Sequence, residues 1–564
     1  MLSSLGDRAH PTYFWLGAAA VTAGVGFHLP MFIEARRMNF HLAGMPVDWR
    51  MLLGMALIAG GTAASWYGLL PAARERRASA PKDEAGASNH STVVPAPAGT
   101  QSERRAVALD PGFRRGDNED GLLREPESPA AAESSGWLCW AHWQLALVLA
   151  LALVIDAMKP ASLGFTIPGM SQEYGLPRAV VALFPLLALT GLTIGSYVWG
   201  VIGDEVGRRA AILLSGVMFV GTAICGSMPG FIGNLIMCFF MGVAAGGMLP
   251  ITYALLAECM PSRQRGWAMV LLGGLGLAGG FFAASGAAAL LEPLYGWRIL
   301  WFLNAPTGLI LILCNPLIPE SPRFLLMRGR MAELDALASR FAVPIEPRQW
   351  EDAVPHPVID STGALLRFPF RLTTATLNHL GIAWGLVNFG LLLWLPAELR
   401  LRGLDVAGSN VLLFRSALVA LPTMFAVALL YGRWSTKWTL FALTVLTAAG
   451  LAGLSLIDAG VALVHEHLLL LFAGLMVGVN GIIAVLLPYT AENYPVLVRG
   501  RGTGLVAGSS KLGGLAAQAL SVSSLVPGLG LAAMALAVSM AVSAGMVACY
   551  GKETRRCVLD EFDR

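Results

Sequence analysis

Glu258-Cys-Met-Pro261-Ser-Arg-Gln-Arg265-Gly266 and Glu492-Asn-Tyr-Pro495-Val-Leu-Val-Arg499-Gly500 share one spacing, Glu-x-x-Pro-x-x-x-Arg-Gly, at an offset of 234 residues. The same offset carries Gly274, Gly279 and Gly280 onto Gly508, Gly513 and Gly514. Each copy follows the fourth of six long apolar stretches and opens the fifth. Spacing and place in the helix order agree together, so the chain is expected to contain two homologous halves.

Composition says what kind of halves these are. Of 564 residues, 55% are hydrophobic and 13% charged, with mean hydropathy +0.63. Soluble domains carry about 25% charged residues, so half the usual polar surface is missing and lipid must face most of the protein. Sixty-four glycines suit close helix packing, and fifteen tryptophans suit the membrane interface. A net charge of +3 gives no argument for nucleic acid. The seven cysteines have no metal-binding or redox spacing. No nucleotide loop or nucleophile motif is present, so neither an enzyme nor a cofactor is expected.

A bilayer core takes about 20 apolar residues per helix. Such stretches lie near 12–33 and 51–71, then at 140–166, 179–202, 210–228, 231–256, 267–291, 299–318, 375–396, 409–431, 438–457, 467–488, 503–524 and 529–550. The first, Thr12 to Ile33, is long for a signal-peptide core and reads as a retained helix. The expected organisation is an N-terminal transmembrane hairpin (1–71), a disordered cytoplasmic linker (72–136), a six-helix half (137–318), a cytoplasmic segment (319–374), a second six-helix half (375–551) and a tail (552–564). The linker is rich in Pro, Ala, Ser, Glu and Arg and has too little apolar surface to fold. Met331 to Phe341 has the pattern of a short amphipathic helix.

Lysine and arginine counts orient the chain. Loops on the linker side hold Arg208, Arg209, Arg263, Arg265, Arg323, Arg328, Arg330, Arg433, Lys437, Arg499 and Arg501; the opposite loops of the main body hold Arg178, Arg298, Arg400 and Arg402. A cell-membrane protein with fourteen helices and both termini cytoplasmic is expected, although Arg36, Arg37 and Arg50 fall in the hairpin's outer loop.

The loop Gly200-Val-Ile-Gly-Asp204-Glu-Val-Gly207-Arg208-Arg209 resembles the signature between helices two and three of the major facilitator superfamily. Pro319-Glu320-Ser321-Pro322-Arg323 is similar to the corresponding run in its sugar-porter and metabolite–proton symporter branches. So are the Glu/Pro/Arg-Gly repeats. Asn388 to Pro396 resembles the seventh helix of metabolite–proton symporters. The resemblance covers about 140–550 and implies an all-α membrane fold of two six-helix halves, with substrate bound between them. Three positions depart from the pattern. Glu205 replaces a basic residue, the second-half copy Gly432-Arg-Trp-Ser-Thr-Lys437 lacks the Asp, and Cys238 to Gly242 lacks the sugar-porter arginine. The last argues against sugar as cargo.

Ionisable residues inside a span are costly and are candidates for function. Asp156 and Lys159 sit one turn apart in the first main-body helix. His379 falls in the seventh, Arg415 in the eighth and Lys511 in the eleventh. A set with this excess of cations fits an anion, with Asp156 as the proton-exchanging group. Cations in helices eight and eleven also resemble those of the oxalate–formate antiporter. A second set, Asp204, Arg208, Arg209, Glu258, Arg265, Glu320, Arg323, Glu492 and Arg499, is implied by the resemblance to latch the cytoplasmic gate by pairing across the halves. The expected function is proton-coupled transport of a small organic anion by alternating access. The alternatives are export of an organic cation or drug through Asp156, and a transporter-like sensor that uses the hairpin and linker.

Overall fold

The structure, a computed structural model, describes residues 10–70, 138–341, 365, 370–458, 467–494 and 496–555. The expected linker and about half of the segment between the halves (342–364 and 366–369) lie outside these residues. Every element described is helical. The hairpin is α1 (Pro11–Gly26) and α2 (Trp49–Leu69). The first half follows as α3 (Trp140–Tyr174), α4 (Leu183–Glu205), α5 (Arg208–Gly221), α6 (Phe231–Ala245) with α7 (Met248–Cys259), α8 (Ser262–Tyr295) and α9 (Asn304–Leu313). The amphipathic helix expected at Met331–Phe341 is present as α10. The second half is α11 (Arg371–Gly385), α12 (Leu395–Leu401), α13 (Val406–Arg433), α14 (Thr436–Asp458), α15 (Leu468–Asn493), α16 (Val496–Val522) and α17 (Leu529–Tyr550).

Twelve helices among the described residues are long and apolar enough to cross a bilayer. The expected fourteen fall short at two places. The sixth helix of the first half is a shorter apolar piece, Ile299–Leu313. Helix α16 has 27 residues, but Arg499, Arg501, Lys511 and Gln518 dilute its hydropathy. Both pack as full members of their halves.

The repeat is visible in the packing. In each half the first helix packs on the fifth (α3 on α8, α11 on α16), the second on the fourth (α4 on α6, α13 on α15) and the third on the sixth (α5 on α9, α14 on α17). The repeated glycines allow the first of these contacts. A Cβ at Gly280 would meet Ala157, and one at Gly514 would meet Phe389. The halves join along two related seams, α8 on α13 and α16 on α4. Small residues at such seams let backbones approach where no hydrophobic force separates helix from lipid.

Gly207 shows what the Gly200–Arg209 loop needs. Its φ is +112°, and a Cβ there would run into the Glu320 carboxylate. Only glycine fits both demands. Glu320 in turn accepts the Arg209 backbone N–H at 3.2 Å, placing a carboxylate at the N-terminus of α5.

The hairpin folds through glycines, Gly17 facing Gly61 and Gly24 facing Gly54. It then docks on α5. Its connecting loop reaches the body at the face opposite Asp204, where the N–H groups of Leu42 and Ala43 donate to Glu173 at 2.8 and 2.9 Å.

Candidate functional site

Helix α3 is interrupted in sequence by Pro160 and Pro168 yet runs unbroken to Tyr174. Its middle carries Asp156 and Lys159, 8% and 1% exposed. Beside them is a small cavity of about 20 Å³, lined by Lys159, Leu163, Leu189, Met241, Phe389 and Leu393 among others. Both halves contribute, and the wall is apolar apart from the lysine.

The two charges do not form a hydrogen-bonded pair. The Lys159 ammonium turns to α5, donating to Thr222 Oγ1 at 2.9 Å and to the Phe219 carbonyl at 3.4 Å. It lies 3.7 Å from the centroid of the Phe219 ring. Asp156 Oδ1 is buried without a hydrogen-bond partner. Lys511 reaches across from α16 and donates to Ser196 Oγ on α4, and Ser196 donates to the Gly246 carbonyl. Asp156 lies within electrostatic reach of both lysines. Asp156, Lys159 and Lys511 therefore form one cluster at the seam between the halves.

His379 and Arg415 are placed elsewhere. The His379 Nδ1 pairs with Ser543 Oγ of α17 at 2.9 Å, inside the second half. Arg415 is exposed on α13. Sequence spacing could not tell which side of a helix faced the centre.

Helix α11 loosens beside the cavity. Leu386–Leu391 is π-helical and Leu392–Trp394 is 3₁₀ before α12 begins. Gln518 of α16 donates to the Phe389 carbonyl and accepts from the Trp394 indole N–H at 3.2 Å. Such bulges free backbone carbonyls and recur at functional sites.

At the Asp204 face the expected latch looks different. Arg208 bonds Asp204 at 2.7 Å and Glu258 at 3.4 Å, and Ser321 donates to Glu258. Glu492 accepts from Tyr431 at 2.7 Å and Thr554 at 2.6 Å. These partners of Glu258 and Glu492 lie within their own halves, not across them as expected. Arg209 holds Asn315 at 2.8 Å, Arg265 reaches the Met260 carbonyl at 3.5 Å, Arg499 bonds the Tyr494 carbonyl at 3.2 Å, and Arg323 is exposed. Arg265 and Arg499 lie within electrostatic reach of each other. The halves approach here at Gly266, where a Cβ would lie 3.1 Å from Glu492.

The cross-half ion pairs sit at the other face, on α12. Glu398 pairs with Arg178, whose guanidinium stacks 4.6 Å from the Trp394 ring centroid. Arg400 pairs with Glu292 of α8 at 3.0 Å, and Asn410 donates to Glu292 at 2.7 Å. A further pair, within the first half, is Glu173–Arg298 at 2.7 Å, 1% and 0% exposed at its side chains. Sequence reasoning missed the Glu173 and Glu292 pairs because it ended the first and fifth helices at 166 and 291. The helices continue to Tyr174 and Tyr295, bringing Glu173 and Glu292 to arginines assigned to loops.

A second missed feature is a clasp in the tail. Glu553 accepts from Ser435 Oγ and from the Thr436 N–H at 3.0 Å, and Thr554 donates to Glu492. Glu320 and Ser321 do the same work at α5 and Glu258. Lys552-Glu553-Thr554 is thus the second copy of Pro319-Glu320-Ser321, and the shared Glu-Ser/Thr pair was the readable signal.

Residues 145–518 match the family model described as Major Facilitator Superfamily. The niacin transporter NiaP of Acinetobacter baylyi is 25% identical over 431 residues, 75% of this chain and 96% of NiaP. The 4-hydroxybenzoate transporter PcaK of Pseudomonas putida is 27% identical over 272 residues, 46% of this chain and 59% of PcaK. The xylose transporter XylE from E. coli, solved in a partially occluded inward-open form, has the same fold, with a TM-score of 0.61 at 13% identity over 74% of this chain and all of XylE.

Proposed function

We propose, for a chain that belongs to the Major Facilitator Superfamily, that it is a proton-coupled transporter of a small aromatic or similarly compact organic carboxylate. It works by alternating access of the two halves about the central cluster. The observation that supports this reading is the approach of Lys159 from one half and Lys511 from the other to Asp156 at the seam, next to a small apolar cavity. An apolar slot with few charged groups binds a small organic body and fixes its polar end. Niacin and 4-hydroxybenzoate, named for the relatives, are molecules of this shape and charge.

Asp156 supplies the proton site. Its carboxylate is buried beside two cations, so gaining a proton weakens its hold on them and releases a lysine to the substrate carboxylate. An anion held by a lysine from each half draws the halves together, which couples occupancy to the change of access. An organic cation fits less well, since it would meet two ammonium groups for one carboxylate. The excess of lysine and arginine in its loops supports an orientation with the Asp204 face towards the cytoplasm.

The test uses purified protein in liposomes loaded with nicotinate or 4-hydroxybenzoate. Asp156→Asn should abolish proton-driven accumulation and spare exchange of substrate for substrate. Lys511→Ala should abolish both. Proton-driven accumulation by Asp156→Asn, or normal exchange by Lys511→Ala, overturns the respective role.

A further inference from the structure

Neither the central site nor the family fold explains the N-terminal hairpin, and its docking position does. Helix α5 ends at Gly221 and continues as a 3₁₀ turn, Thr222–Ser227. The last carbonyls of an α-helix have no intrahelical donor, and that end of the dipole favours a cation. Lys159 occupies this end. Its ammonium takes the Phe219 carbonyl, the Thr222 hydroxyl and the Phe219 ring together. Cation–π contact adds most where water is excluded, and Lys159, Phe219 and Thr222 are all buried. This is a built seat for an ammonium, provided by α5 and its 3₁₀ turn.

The back of the seat is the hairpin. Gly221, the residue before Thr222, faces it directly. A Cβ at Gly221 would lie 3.0 Å from Ile58 of α2 and 3.6 Å from Val21 of α1. The short helix Leu29–Glu34, just after α1, packs on the 3₁₀ turn itself, and Phe32 meets Phe302 at 4.9 Å between centroids. The other end of the hairpin is tied to α3 through Leu42, Ala43 and Glu173. The hairpin therefore spans from the helix that carries Lys159 to the helix that receives it.

We propose that Thr222 is a positioning residue that parks Lys159 away from the cavity, and that the N-terminal hairpin, through Val21 and Ile58, holds this seat in place. Lys159 then has two positions, seated on α5 or turned to the cavity. The seat sets how readily the lysine leaves for substrate and returns when substrate goes. The functional part rests on the carboxylate reading above; the seat itself does not.

Two measurements on the full chain test it. The first needs no substrate: thermal unfolding in nanodiscs of Thr222→Val, Lys159→Met and both, then of Ile58→Ala with and without Lys159→Met. A seated lysine makes each pair non-additive, so additive losses overturn the seat or its support by the hairpin. The second is nicotinate exchange in liposomes. In Thr222→Val, which loses the hydroxyl, a freed Lys159 should lower KM and the maximal rate together, by about tenfold each, the worth of one hydrogen bond to a charge. Ile58→Ala should shift both the same way by less, and Thr222→Ser should restore wild-type values. Unchanged KM and rate in Thr222→Val overturn the functional part. Wild-type protein that neither binds nor exchanges nicotinate removes the carboxylate reading, while the unfolding cycles still decide the seat.

Discussion

Lys511 of α16 donates to Ser196 of α4, so the deepest cation of the second half is bonded to the first half at the seam between them. Ser196 also donates to the Gly246 carbonyl, which fixes its oxygen for the lysine.

Replacing Ser196 with Ala removes the acceptor without changing the helix. Lys511 would then lack its partner across the seam, and the joined arrangement should weaken. We expect faster exchange with a KM raised by about tenfold or more, the range for a hydrogen bond to a charged group. Concentration-dependent uptake in liposomes reads this directly, and wild-type kinetics would mean that the contact is incidental to the cycle.

Arg178 and Glu398 join the halves at the opposite face from Asp204, with the Arg178 side chain 42% exposed. An exposed pair contributes about 1 kcal/mol or less, so Glu398→Gln should shift the opening balance by less than about tenfold. Labelling of a cysteine placed at the Arg178 face should speed up accordingly. The charge-swapped double variant, Arg178→Glu with Glu398→Arg, should return it toward the original rate.

Glu173→Gln should be far more damaging to stability than Glu398→Gln. It removes the charge that pairs with the buried Arg298, and it turns into an NH2 one of the two oxygens that accept from Leu42, Ala43, Trp297 and Arg298. Removing one partner of a buried pair costs about 3–5 kcal/mol. A thermal shift no larger than that of Glu398→Gln would contradict this ranking.

The tail clasp should depend on pH. Burial alone would raise the Glu553 carboxyl, but hydrogen bonds from Ser435, Thr436 and the Arg555 N–H outweigh it and hold the group below its ordinary 4.5. The fold therefore favours the ionised form. The stabilisation is complete above that ordinary value and is lost as pH falls beneath it. Glu553→Gln should lower the unfolding temperature at neutral pH, and the gap from wild type should close in acid. A constant gap would show that ionisation of Glu553 does not matter.

The halves, the glycine seams and the loop at Gly207 were legible because each leaves a mark on local spacing. Asp156 and Lys511 were legible because a charge in an apolar run stands out. What Lys159 touches was not. One turn from Asp156, it is equally able to face its neighbour or α5, and only the position of α5 decides. Arg415 fails for the same reason, since its helix turns it outward. The Glu173 and Glu292 pairs were hidden by helix ends, which an apolar pattern defines poorly when buried ion pairs let a helix continue past it.

The clasp at Glu553 and Thr554 bears on how this chain was assembled. Its counterpart at Glu320 and Ser321 follows the first six helices as Glu553 and Thr554 follow the second six, so the ancestral module ended beyond its last helix, not at it. After duplication the copies diverged unequally. The first keeps an aspartate paired with an arginine at its second-to-third loop, while the second lacks the aspartate and keeps the clasp. One lobe thus adds an ion pair to its clasp, whereas the other relies on hydrogen bonds to the Glu553 carboxylate, so salt should loosen this loop more in the first lobe than in the second.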